Sequence, residues 1–209
     1  MGRPFFLIAF IVIHTLNTGV SIEDVMNINA RFFIVTDGNF KSSFDNNQLY
    51  MMMGGANSIL LQAGIWLNWV DNPAALVYRE TFSSDGFDRD KHKTQLLRHP
   101  QLLGRHTEKM KIFVVGKIAK VVKNGKWSDP QGIGIPPSAP VLAHDQLLTL
   151  SDSKRCIALA HEIGHCLGLE HQETDNNVMR ENTMNAGIML DKAQAETMQN
   201  QALRNGLGT

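Results

Sequence analysis

His161 and His165 stand four residues apart, Glu162 follows the first of them, and Gly168 and His171 come three and six residues after the second. Two histidines one helical turn apart lie about 6 Å apart along the helix axis and about 40° around it, so both imidazoles can reach one zinc ion at about 2.1 Å. Glu162 is rotated about 100° from His161, which suits it poorly as a ligand. Its carboxylate can instead reach a water on the open side of the metal and act as a base. Gly168 allows a sharp turn, after which His171 can supply a third imidazole from outside the helix. Three protein ligands leave one position for water, the arrangement of a catalytic zinc site.

The run His161-Glu162-Ile163-Gly164-His165-Cys166-Leu167-Gly168-Leu169-Glu170-His171 resembles the H-E-x-x-H-x-x-G-x-x-H signature of the metzincin metallopeptidases, and every fixed position matches. Asn176-Asn177-Val178-Met179 is similar to that family's Met-turn, a methionine beneath the metal. Met179 lies eight residues after His171, a step that resembles matrixin-like members, and Met184 is the competing candidate. The resemblance implies an α+β, metzincin-like single domain: a twisted mixed β-sheet with a long active-site helix, a Met-turn and a C-terminal helix. It implies one catalytic Zn2+ on His161, His165 and His171, and hydrolysis of protein or peptide substrates by water that Glu162 activates. It also gives the extended stretch Gly132, Ile133, Gly134 and Ile135 a substrate-binding role, since the strand before the active-site helix borders the cleft in such enzymes.

Departures from the family pattern are visible too. Arg180 and Glu181 follow Met179, so the tyrosine of astacin-like and serralysin-like members has no counterpart, and no cysteine-switch segment is present. Two rival readings use the same residues: an amidase or deacylase acting on small substrates, and a non-catalytic, zinc-stabilised binding module. The intact Glu162 and the open fourth position argue against the second.

The elements that must position these groups are legible in outline. Ser151 to Gly168 reads as one helix, with Ser151 to Ser153 offering capping groups and Gly168 as the stop. Cys156, Leu159, Ile163, Cys166 and Leu167 fall on one face, roughly opposite His161 and His165, which assigns both cysteines to the packed side. Ten positions apart in one helix, they cannot pair. Ala30 to Thr36, Ile65 to Val70 and Lys111 to Val115 are rich in β-branched and aromatic residues and read as strands. Asp45 caps a helix with apolar positions Leu49, Met52, Met53, Ala56, Ile59, Leu60 and Ala63, ended by Gly64. Gly132 to Pro137 and Val141 to His144 read as short extended segments, and Asp191 to Asn205 as the last helix. Phe82 to Arg105, with Asp85, Asp88 and Asp90, reads as a long solvated excursion, and His92, His99 and His106 as surface histidines.

With 209 residues and 43% hydrophobic content, the chain suits one domain with a real core. Lys plus Arg and Asp plus Glu number 20 each, so no overall field draws in nucleic acid or an anionic membrane. Arg3 followed by the apolar run Phe5 to Ile13 has the form of a signal peptide and is too short to span a bilayer. The expected organisation is therefore a signal segment over 1–22 and a catalytic domain over 23–209. Secretion or another extracytoplasmic location is expected, with the cytoplasm as the alternative, and the chain is expected to be a monomer.

Overall fold

The computed structural model describes residues 25–36, 40, 42–70, 72–77, 86–102, 108–123, 126–182 and 185–208. The apolar N-terminal run, Asp85, His106 and Met184 lie outside the described residues. Strand β1, Met26–Thr36, is the spine of a six-stranded sheet. On one edge it pairs in parallel with β2, Ile65–Trp69, and further along with β3, Ala74–Val77. On the other it pairs in parallel with β4, Met110–Val115, which pairs with β8, Ala139–Ala143. The outermost strand β7, Gly132–Ile135, runs antiparallel to β8 and forms a free edge among the described residues. A separate hairpin of β5, Val121–Lys123, and β6, Lys126–Ser128, precedes it.

Period-two alternation sorts the strand side chains into two cores, as a sheet covered on both faces requires. Ile28, Ala30, Phe32, Met110, Ile112, Val114 and Leu142 face one way, under helix α1, Asn46–Leu60. Phe33, Val35, Phe113, Val115, Val141 and Ala143 face the other, with Phe87 and Leu96 against them. Helix α1 begins with a capping box in which Asp45 and Gln48 satisfy one another's backbone N–H groups. It ends through a short 3-10 turn at Gly64, whose φ of 59° is the left-handed conformation expected of the stop. Asn57, buried on α1, closes β2 from its open side: Leu67 N–H donates to its Oδ1 at 2.9 Å and its Nδ2 donates to the Leu67 carbonyl at 3.0 Å.

Part of the stretch expected to be a solvated excursion is ordered instead. Asp88 caps helix α2, Arg89–Leu97, by accepting from the N–H groups of Asp90 and Lys91, and Phe87 and Leu96 are buried beneath it. Its acidic residues thus serve a helix start, and His92 Nδ1 accepts from the Asp88 N–H. His144, expected at the end of an extended segment, begins the short helix α3, His144–Leu147, and is buried against Phe40 and Phe44. Helix α4, Asp152–Cys166, packs on α1 and on the inner face of β7 and β8. Helix α5, Lys192–Arg204, begins with a second capping box, Asp191 and Gln194. The expected serine caps of α4 are not used: the Ser151 hydroxyl lies 3.1 Å from that of Ser153 and makes no cap bond. Cys166 is buried as expected, whereas Cys156 is only partly buried, and both are free thiols.

Candidate active site

The last turns of α4 carry His161, Glu162 and His165, and a Schellman motif sends the chain back across its end. Leu169 N–H donates to the Gly164 carbonyl at 2.9 Å and Gly168 N–H to the His165 carbonyl at 3.2 Å, with Gly168 at φ +87°. This geometry returns the Leu169 carbonyl to His165, whose Nδ1 lies 2.8 Å away, and leads His171 to the same point. His161 Nδ1 makes the equivalent contact with the Val178 carbonyl, also at 2.8 Å. A carbonyl only accepts, so each Nδ1 carries the proton and each Nε2 is left with a lone pair.

Those lone pairs converge. The Nε2 atoms of His161 and His165 are 3.0 Å apart, those of His165 and His171 3.1 Å, and those of His161 and His171 3.2 Å. At least two of these atoms are unprotonated, so their approach is unfavourable unless a cation lies between them. A tetrahedral site with metal–nitrogen distances of about 2.1 Å has edges of about 3.4 Å, close to the triangle observed. Three imidazoles, two of them held by carbonyls, are a donor set suited to zinc, and among the described residues this is the one cluster able to hold a metal. Burial, aided by the neighbouring charges of His165 and His171 and opposed by the Val178 carbonyl, lowers the pKa of His161 to about 4. The lone pair therefore persists far into the acid range.

Glu162 is 5% exposed, and its Oε2 has no hydrogen-bond partner. Burial raises its pKa to about 8 against the opposing pull of the Gly134 N–H. Strand β7 can lie this close to α4 because two of its residues lack side chains. A Cβ at Gly132 would sit 2.5 Å from Glu162 Cγ, and one at Gly134 2.5 Å from His165 Cβ. Met179 is fully buried, with its sulfur against Gly164 in the helix, and its carbonyl accepts from Gln172 N–H at 2.9 Å, beside His171.

A cleft of about 1200 Å³ opens over the three histidines. Gly132, Ile133 and Gly134 line it together with Glu162, while Ile135 is fully buried in the second core and does not. Val121 and Ser128 of the hairpin line it as well, as do Glu170, Arg180 and Glu181. Sequence reasoning missed the hairpin lining and both carbonyls that orient the imidazoles. Only the Leu169 carbonyl, just after Gly168, had a signal: the glycine stop that forces the chain to return.

No family model and no curated protein sequence matches the chain. Solved structures do. The archaemetzincin of Methanopyrus kandleri superposes with a TM-score of 0.56 at 12% identity, over 85% of this chain and 97% of that one. Metalloproteinase-II of Bacteroides fragilis superposes with a TM-score of 0.52 at 14% identity, over 83% of this chain and 53% of that one. The fold is metzincin-like, the fold expected from the histidine run, and the likeness at such low identity is one of architecture.

Proposed function

We propose that this chain is a zinc-dependent peptidase that cleaves internal bonds of extended peptide or protein substrates. The observation that carries the proposal is the convergence of three imidazole Nε2 atoms beside a buried carboxylate with a partnerless oxygen. His161, His165 and His171 would hold the ion. A bound zinc supplies Lewis-acid polarisation of the scissile carbonyl and lowers the pKa of water towards about 7. Glu162 Oε2 takes the proton of the attacking water and returns it to the leaving nitrogen. The Gly134 N–H anchors the same carboxylate while it works.

Peptides are favoured over small amides by the dimensions of the cleft, whose 1200 Å³ exceeds the usual small-molecule range of about 300–1,000 Å³. The free edge of β7 adds a backbone against which an extended chain can lie. The test is hydrolysis of a quenched-fluorescent peptide library, with and without chelator, by the parent protein and by Glu162→Gln. Zinc content should be equal in the two, and the rate of the variant should fall by about 10² to 10⁴. Hydrolysis at the parent rate by Glu162→Gln would show that this glutamate is not the base.

A further inference from the structure

We propose that Asn177 and Gln194 are positioning residues that hold the His161 lone pair on the metal, acting through the Val178–Met179 peptide. The inference rests on the metal-binding reading above. His161 Nδ1 donates to the Val178 carbonyl, and the N–H at the other end of that same peptide group, Met179 N, donates to Asn177 Oδ1 at 2.8 Å. Because a peptide group is planar, anchoring its N–H sets the direction of its carbonyl. Asn177 is in turn fixed by a reciprocal amide pair. Its Nδ2 donates to Gln194 Oε1 at 2.8 Å, and Gln194 Nε2 donates back to Asn177 Oδ1 at 3.2 Å.

Gln194 belongs to the first turn of α5, where its Oε1 also accepts from Asp191 N–H at 2.9 Å and its own N–H donates to Asp191 Oδ1 at 2.8 Å. The start of the C-terminal helix is thus connected to a metal ligand by an unbroken chain of hydrogen bonds. Both amides are buried, at 4% and 3% exposure, so water cannot replace a lost partner. Two buried amides among apolar neighbours are costly unless fully used, and here both oxygens each accept two bonds. Gly187 N–H and the backbone bridge from Asn177 to Met189 hold the turn itself, which leaves the side chains the narrower task of aiming one carbonyl.

Asn177→Leu and Asn177→Asp separate this role from simple packing. The leucine fills the space but accepts nothing from Met179 N–H, whereas the aspartate, in the neutral acid form that burial favours, keeps that acceptor and donates to Gln194 Oε1 through its O–H. Zinc affinity would be measured by competition with a chromogenic chelator, and the protonation of His161 by nitrogen-resolved NMR of the chelator-treated protein. Asn177→Leu should bind zinc about 10- to 100-fold more weakly, the range for loss of a group that supports a ligand. Its His161 should show a mixture of Nδ1–H and Nε2–H forms in place of the single Nδ1–H form of the parent. Asn177→Asp should keep the parent's tautomer and its affinity.

Parent affinity and tautomer in Asn177→Leu would overturn the proposal, as would an Asn177→Asp protein as impaired as Asn177→Leu. Should Asn177→Leu fail to fold, Gln194→Leu, which frees the Asn177 side chain to rotate, is expected to lose affinity in the same direction. Parent affinity in that folded variant would overturn the proposal. If the parent itself bound no zinc, the peptidase reading would fail while the tautomer measurement still decided this one.

Discussion

Alanine at Gly132 should disable catalysis while leaving the metal and the fold in place. Neither Gly132 nor Gly134 has a positive φ, so alanine is compatible with the backbone at both positions, and only the space around the new Cβ matters. At Gly132 that Cβ would lie 2.5 Å from Glu162 Cγ, 2.7 Å from Cδ and 2.8 Å from Oε1. Carbon atoms pack at about 3.5–4.0 Å, so the carboxylate must retreat by about 1 Å. It can do so by rotation about its own side-chain bonds, because none of the three atoms is backbone. Misplacement of about 1 Å at a reacting group is worth about 10² in rate, or about 3 kcal/mol.

Gly134→Ala should behave differently. Its Cβ would lie 2.5 Å from His165 Cβ, 2.8 Å from the Glu162 carbonyl oxygen and 3.1 Å from Cys166 N, mostly helix backbone that cannot yield. Strand β7 must lift off α4, at about 1–3 kcal/mol for overpacking, and the anchor that Gly134 N–H gives Glu162 is lost with it. Elemental analysis, urea unfolding and kcat/KM on a cleaved peptide distinguish the two. Gly132→Ala should retain zinc and stability and lose activity, while Gly134→Ala should lose stability as well. A Gly132→Ala protein with the parent's kcat/KM would refute the reasoning, since Glu162 would then not be working from its place beneath β7.

Three further outcomes are expected. His171 comes from an exposed segment beyond the helix, so His171→Ala should weaken zinc binding while the far-ultraviolet circular dichroism stays that of the parent; a collapsed spectrum would contradict this. In the metal-free protein, burial keeps His161 unprotonated down to about pH 4, whereas the unfolded chain takes up this proton near its ordinary pKa of 6.5. Stability should therefore be full above pH 6.5 and fall between 6.5 and 4, by about 3 kcal/mol, and a flat profile in urea unfolding with chelator present would refute it. Asn57→Leu removes both partners of the Leu67 backbone, leaving a buried N–H and a buried carbonyl unpaired, and should cost about 3 kcal/mol in the same assay; a loss within error of zero would show that water replaces them.

The parts of this structure that could be read from residue types are those whose physics is local. Asp45 with Gln48, Gly64, Gly168 and Asp191 mark helix ends because each makes its bonds within a few residues of itself. The strands β1 and β4 were legible as runs of β-branched and aromatic residues, since each must place apolar side chains into two cores at once. Helix α2 was not, because of its nine residues only Leu96 is buried and no apolar stripe can form. Strand β3 is four residues long, and the β5–β6 hairpin leaves Val121 and Val122 exposed, so neither shows a buried face to read.

The active site divides along the same line. Its three imidazoles and its carboxylate are written into eleven consecutive residues, because one helix and one turn bring them together. What makes them usable comes from farther away. Gly132 and Gly134 admit Glu162 from a strand about 30 residues earlier, and Val178 selects the His161 tautomer through a backbone atom that every residue type possesses. A backbone carbonyl has no sequence signature, and a glycine that makes room for another element looks the same as one that makes a turn. Chemistry held by side chains on one element is thus visible in a single sequence, whereas the aiming of those side chains is a property of packing. That division also accounts for a metzincin-like architecture at 12% identity to a solved structure, since the fold requires apolar strands and turns but few particular side chains.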